Sequence, residues 1–390
     1  MDEEETSTSS HLPQWTFNRR EVVTTMGTIA GTAAVAPLSD ALAQEASGLV
    51  RLRLLETTDI HVNLLPYDYY RDAQDDTVGL SKIATLIERA RATAPNTLLF
   101  DNGDFLQGSP MGDLVAIERG LKGGETHPVM AAMNLLRYDA GTLGNHEFNY
   151  GLDFLDASIA GGNFPICCAN LVKGALGSTP LADKTYLEPY LLLDREVTDE
   201  AGEKHILRIG VIGVVPPQIM QWDDAHLRGK VDARDIVETA GAYLPEIRER
   251  GADIVLALAH TGISTAPARE RDENAAFHLA RLSGIDAVFT GHAHRVFPGP
   301  GYVAGEGVDF EKGTLHGVPA VMAGFWGSHL GQIDLVLRKD GGRFHVVSSS
   351  AAVLPIYERH GAQIQSLVEP LPIFASRLAK DHEATLRYVR

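Results

Sequence analysis

From Leu49 onward one arrangement recurs: a short apolar run closes on polar side chains, and an amphipathic stretch leads to the next run. "LVRLRLLETTDIH" ends at Asp59 and His61, "TLLFDNGD" at Asp101 and Asp104, and "DAGTLGNH" at Asn145 and His146. "ADIVLALAH" ends at His260, "IDAVFTGHAH" at His292 and His294, and "VPAVMAGFWGSH" at Gly324 to His329. Between them, "LSKIATLIERARATA" and "ARDIVETAGAYLPEIRERG" carry apolar residues at helical spacing with charge on the other face. Strands alternating with helices predict an α/β sheet, and ligands bind beyond the carboxyl ends of its strands. Nearly every coordinating side chain of the chain falls at that position.

Singly, these endings are ambiguous. Asp59-x-His61 is a common surface dipeptide, His260 fits a core histidine, and an Asn-His pair between glycines fits an ordinary turn. Together and in this order they predict one centre built from two aspartates, one asparagine and four histidines. Mixed imidazole and carboxylate ligands suit zinc, manganese, cobalt or iron, whereas all-oxygen shells suit magnesium or calcium. The count fits two divalent transition-metal ions with one carboxylate free to bridge, an arrangement that grips phosphate and lowers the pKa of a water between the ions. The neutral Asn ligand keeps the centre positive enough to hold an anion.

Composition narrows the partners. The 390 residues carry 34 basic and 51 acidic side chains, a net charge of −17, so binding to a nucleic-acid polymer through counterion release is not expected. No apolar run reaches the roughly 20 residues that cross a bilayer. The expected partners are a nucleotide or cyclic nucleotide substrate and, through the N-terminus, an export machinery; the chain is expected to act as a monomer. Residues 1–43 read as a signal peptide: Arg19-Arg20, a weakly apolar stretch, then Ala41-Leu42-Ala43 as a small-residue cleavage site. The paired arginines suggest the twin-arginine route and a periplasmic or exported location. Cys167 and Cys168 are adjacent, poor geometry for a bridge, and sit in the apolar "NFPICCANL" as expected core residues.

"ETTDIHVNLLPYDYY", "DNGDFLQGSPMGD", "GNHEFNYGLDF", "LAHTG", "GHAHRVFPG" and "GFWGSHLG" resemble the calcineurin-like metallophosphoesterases, specifically their exported 5′-nucleotidase branch. Thr57-Thr58 and "YDYY" favour its 2′,3′-cyclic-nucleotide 2′-phosphodiesterase/3′-nucleotidase group. The resemblance covers about residues 50 to 390. It implies a four-layer α/β/β/α sandwich with a di-metal site at the strand C-terminal ends and a catalytic domain over 44–370. Residues 371–390 look like the start of a linker helix toward a C-terminal nucleotide-binding domain, without which nucleoside selectivity is expected to be weak.

The resemblance also implies roles. Asp59, His61, Asp104 and His294 would hold one metal, and Asp104, Asn145, His260 and His292 the other, with Asp104 as bridge. Asn145 and His146 would be the catalytic pair, His146 protonating the leaving oxygen. Related 5′-nucleotidases place an Asp three residues after that His; here the position is Asn149, which leaves Glu147 or Asp153 as the expected polarising residue. Both Asn145 and His146 reach one site only if the chain bends at Gly144. The implied reaction is hydrolysis of nucleotide phosphoesters by metal-activated water. The rival readings are a 5′-nucleotidase or UDP-sugar hydrolase, an inactive truncated metal-binding domain, and a metal-dependent binding module.

Overall fold

The computed structural model describes residues 47–302 and 304–390. The expected signal peptide, 1–43, lies outside the described residues. In chain order the principal strands are β1 (Leu49–Thr57), β2 (Thr97–Asp101), β3 (Ala140–Gly141), β4 (Tyr190–Thr198) and β5 (Lys204–Val214). They continue with β6 (Ile254–Ala259), β7 (Ala287–Thr290), β8 (Val318–Ala323), β9 (His329–Asp340) and β10 (Arg343–Pro355). The longer helices are α1 (Leu80–Thr93), α2 (Pro128–Leu136), α3 (Leu152–Ile159), α4 (Ile236–Glu249) and α5 (Ala379–Val389).

One sheet has the order β10-β9-β1-β2-β3, with β1, β2 and β3 parallel and β9 antiparallel to β1. The other contains β8-β7-β6-β5-β4, parallel from β8 to β5 and closed by antiparallel β4, with small strands beyond β8. Period-two alternation then sorts the side chains into layers. Val50, Leu52 and Leu54 of β1 meet Ile209, Val211, Leu256 and Leu258 between the sheets. Leu55 and Leu99 pack outward on Ile83 and Ile87 of α1, while Val255 and Ala257 pack on Ala240 and Leu244 of α4. Strand β6 is buried at every position, which is why its sequence reads as continuous Ile-Val-Leu-Ala rather than alternation. The layers are therefore α/β/β/α, as expected.

Local choices agree with this order. Helix α1 buries Leu80, Ile83, Ala84, Ile87 and Ala90 at helical spacing, and Asp235 caps α4 by accepting from Glu238 N–H at 2.8 Å. Arg53 on β1 makes a double hydrogen bond, 2.7 and 2.9 Å, to Asp334 directly opposite on β9. The two cysteines are free and fully buried; Cys167 enters the inter-sheet layer and Cys168 the helix-side layer, so no bridge joins them. The final segment forms a helix at Pro372–Arg377 and then α5. Phe374 and Leu378 are buried, and Arg119 pairs with Asp381 at 2.9 Å. No helix among the described residues is long and apolar enough to cross a membrane.

His127, ahead of α2, gives the fold an acid-sensitive point. Its Nδ1 accepts from Val129 N–H at 3.1 Å, and burial pushes its pKa down to about 3. Unfolded histidine takes its proton near pH 6.5. The neutral ring therefore contributes its full stability above that pH, and the contribution is lost as pH falls toward 3. His127→Asn keeps a capping acceptor but cannot titrate. In urea unfolding between pH 6.5 and 4, the wild type should lose stability more steeply than the variant, beyond a constant offset from the smaller side chain. Parallel pH curves would show that His127 does not govern this range.

Candidate metal centre

The ends of β1, β2, β3, β6 and β7 converge, and the chain reaches the centre through strained backbone. Asp59, His61, Asp104, His292 and His294 all have positive φ, between 48° and 67°. Each such residue costs on the order of 1–3 kcal/mol and persists only where its surroundings fix it. The fixing contacts are visible. Asp59 N–H donates to Gly103 O at 2.9 Å and His61 N–H to Asp104 O at 2.9 Å, joining the loops after β1 and β2. Glu147 joins the loops after β2 and β3. Its carboxylate accepts from the N–H groups of Asp104 (2.7 Å), Phe105 (2.7 Å), Leu106 (3.0 Å) and Gly144 (2.6 Å).

Gly144 does not bend the chain as expected. Its φ is not positive; the bend comes from Asn145, at φ −76° and ψ −30°, which opens the short helical turn His146–Phe148. Gly144 is required instead by close approach, since a Cβ there would lie 2.2 Å from Asp104 Oδ1. Gly291 is similar, with a Cβ position 2.2 Å from Thr58 Oγ1 and 2.7 Å from Asp59 Oδ2.

Asp59 Oδ2 accepts from Thr58 Oγ1 (2.6 Å) and His292 N–H (3.1 Å). Its Oδ1 lies 3.3 Å from His294 Nε2 and 4.0 Å from the Nε2 atoms of His61 and His260. Asp104 Oδ1 accepts from His146 N–H at 2.7 Å, while Oδ2 lies 3.1 Å from His260 Nε2 and 3.9 Å from His61 Nε2. His292 Nδ1 is 2.7 Å from Asn145 Oδ1, and its Nε2 is 2.7 Å from Glu273 Oε1. All seven predicted ligands thus meet. Asp59, His61 and His294 form one group with donor atoms within 4.8 Å of one another, and Asp104, His260 and His292 form another. A third group, His61, Asp104 and His146, lies between. The centre is open to solvent beside His294.

The residues fit metal ions. His61 Nδ1 and His260 Nδ1 lie 2.6 and 2.7 Å from the carbonyls of Gln107 and Asn102, which accept only, so both Nδ1 atoms carry hydrogen. The His61 Nε2 lone pair then faces His294 Nε2 at 3.0 Å, so it is met either by a proton on His294 or by a cation lying between the two rings. Asp59 Oδ1 and His260 Nε2 are buried without a hydrogen-bond partner. Burial alone would raise both carboxyl groups. The His294 and His260 rings outweigh it at Asp59, as His260 and His61 do at Asp104, and hold both below the usual range. Burial pushes His61 and His292 down, toward the neutral form that binds metal. His260 moves the other way because Asp104 and Asp59 outweigh its burial, so cation binding there would release a proton.

Neither expected polarising residue serves His146. Glu147 is committed to backbone N–H groups, and Asp153 is exposed on the first turn of α3. His146 Nδ1 instead lies 2.6 Å from Asn149 Oδ1, and Asn149 Nδ2 donates to Asp223 at 2.9 Å. Asp101, also at a strand end, turns away to Thr57 Oγ1 (2.6 Å) and Gly103 N–H (3.0 Å), and burial pushes its pKa up to about 8. The run ending near His329 supplies Phe325, stacked on His294 with centroids 4.7 Å apart, rather than a ligand. Trp222, Asp223 and Glu273 lie in segments without strand or helix periodicity, and no sequence signal marked them.

The sequence pattern of the calcineurin-like phosphoesterases matches residues 52–296, a span holding every residue of the centre. The chain belongs to this family. It is 47% identical over 340 residues to the 2′,3′-cyclic-nucleotide 2′-phosphodiesterase/3′-nucleotidase of Salmonella typhimurium, covering 87% of this chain and 51% of that protein. The protein of the same description from Yersinia enterocolitica is 46% identical over 362 residues, 93% of this chain and 54% of its own length. The chain thus spans about half the length of these curated relatives. The crystal structure of the calcineurin-like phosphoesterase YfkN from Bacillus subtilis superposes with a TM-score of 0.80 at 42% identity, over 88% of this chain and 99% of that one.

Glu147→Ala would leave four buried N–H groups without their acceptor, each worth about 1–3 kcal/mol. The variant should be destabilised by several kcal/mol and should bind less metal, because the Asp104 loop loses its anchor. Unchanged urea midpoint and metal content would refute this role for Glu147.

Proposed function

We propose that the chain is an exported two-metal phosphoesterase that hydrolyses nucleotide phosphoesters, of the 2′,3′-cyclic-nucleotide 2′-phosphodiesterase/3′-nucleotidase type. The observation that carries this reading is the pair of ligand groups, Asp59/His61/His294 and Asp104/His260/His292, meeting in one centre at the strand ends. The names of the relatives at 47% and 46% identity support the substrate class. Arg19-Arg20 and Ala41-Leu42-Ala43 support export.

Asp59, His61, Asp104 and His294 would hold one ion; Asp104, Asn145, His260 and His292 would hold the second. Asp104 Oδ2 faces histidines of both sets, which suits a bridge. Such ions, when bound, clamp phosphate oxygens and lower the pKa of the attacking water; zinc, manganese, cobalt and iron all suit this donor set. His146 acts on the other side of phosphorus. With Nδ1–H donating to Asn149 Oδ1, Nε2 is the nitrogen that carries the second proton of the imidazolium. It gives that proton to the leaving oxygen as the P–O bond breaks, leaving the neutral Nδ1–H ring. From a 2′,3′-cyclic phosphate the leaving oxygen is the 2′ hydroxyl, and from the resulting 3′-phosphate it is the 3′ hydroxyl.

The test follows products with 2′,3′-cyclic AMP, 3′-AMP and 5′-AMP before and after chelation and after add-back of manganese, zinc or cobalt. The cyclic substrate should pass through 3′-AMP to adenosine only with metal present. Activity in metal-free protein would remove the two-metal reading, and turnover of 5′-AMP alone would favour a 5′-nucleotidase.

Two variants divide the roles. Asp104→Asn should lose metal and rate together, more than any single histidine variant. His146→Ala should keep its metal yet lose roughly 10²–10⁴-fold in rate on 3′-AMP, and less on nitrophenyl phosphate, whose leaving group needs little protonation. Metal lost from His146→Ala would make that residue a ligand.

A further inference from the structure

His146 is held by two residues in series. Its Nδ1 is 2.6 Å from Asn149 Oδ1, and Asn149 Nδ2 is 2.9 Å from Asp223 Oδ1. Asp223 is only 6% exposed, and its other oxygen, Oδ2, is buried without a hydrogen-bond partner. A primary amide can present either end to a neighbour, but an ionised carboxylate only accepts. Asp223 therefore takes the NH₂ end of Asn149 and leaves the carbonyl end for His146. A carbonyl oxygen accepts only, so His146 Nδ1 must carry the hydrogen. One ring nitrogen is thereby fixed as a donor to the protein, and Nε2 is left to carry the proton given to the substrate: the imidazolium donates from Nε2 and returns to the neutral Nδ1–H ring.

We propose that Asp223 is a positioning residue that sets the tautomer and orientation of His146 through the amide of Asn149. This rests on His146 being the general acid. Asp223 itself touches neither substrate nor ligand set. The same short segment reaches the metal side as well, since the neighbouring Trp222 stacks on His292 with centroids 5.6 Å apart and planes 27° apart. One stretch of chain thus supports both the acid and a ligand, so metal content must be followed in any Asp223 variant.

Asp223→Asn keeps the shape but lets the Asn149 amide turn round. It should keep its metal and its KM, and lose about 10- to 100-fold in kcat on 3′-AMP, the range for removing a partner that orients an imidazole. The loss on nitrophenyl phosphate should be much smaller. Combining Asp223→Asn with Asn149→Asp puts a carboxylate directly on His146 Nδ1–H and should recover most of the rate. A purely structural role for Asp223 would not be rescued this way.

Nitrogen NMR of zinc-loaded full chain with isotope-labelled histidine supplies a readout apart from turnover. The His146 signal, assigned by its loss in His146→Ala, should show the neutral ring as a single Nδ1–H tautomer in the wild type and the double variant, the proton of the acid form being added at Nε2, and a mixture of tautomers in Asp223→Asn. Equal rate losses on both esters without rescue, or no change in rate and tautomer, would overturn the proposal while leaving the proposed reaction intact. A fully active His146→Ala would remove the acid assignment and this proposal with it.

Discussion

The Glu147 carboxylate collects four backbone N–H groups, and the centre depends on that collection. Two of its hydrogen bonds fasten the ends of the loops that carry Asp104 and Asn145, so the proposed bridging carboxylate and the proposed amide ligand share one anchor. Burial raises the Glu147 pKa, and the nearby Asp104 raises it further, while the Gly144 and Asp104 N–H groups oppose them. A carboxyl group so deeply buried is tolerated because its two oxygens meet four N–H donors. With this clamp in place, Asp104 can stay left-handed at φ 60° and aim Oδ2 at the histidines.

Rigidity of this kind comes at a cost in stability spread over the centre. Five ligand residues occupy unfavourable backbone, and Glu56 and Asp101 are fully buried close by. Burial and the charges of Asp59 and Asp101 raise Glu56 well above the carboxylate range, and neither of its oxygens has a hydrogen-bond partner. The two facing sheets offset this through continuous apolar layers on both sides of β1 and β6. The strain is confined to the loops, and the scaffold beneath them is ordinary packing.

What was legible in the sequence follows the same division. The α/β class was readable because strands and amphipathic helices have different periods, whereas the four-layer stacking came from the family resemblance. The candidate ligands were readable because each stands just past an apolar run, and the resemblance singled out the seven. Asp101 shows the limit: it stands there too, but as the last strand residue it follows the pleat toward Thr57, whereas Asp104 lies beyond the Gly103 turn. Gly144 was read as a bend and is instead a close approach to Asp104. The supports of His146 and His292, which are Asp223 and Glu273, lie 77 and 19 residues away, one between two single-turn helices and the other in a loop, where neither period nor spacing applies.

Charge ties the centre to its substrate. A chain of net charge −17 repels a phosphoester, and Asp59, Asp104, Glu273 and Asp223 stand around the centre itself. Only two of the seven proposed ligands are carboxylates, and the other five are neutral donors when metallated. Two divalent ions on such a set leave the centre positive, which a richer carboxylate shell would not. Using Asn149 rather than a carboxylate against His146 serves the same end, because Asp223 then directs the ring from behind an amide. On the proposed reading phosphoester affinity would be conditional on metal loading: the carboxylates proposed to hold the ions would, without them, repel the substrate.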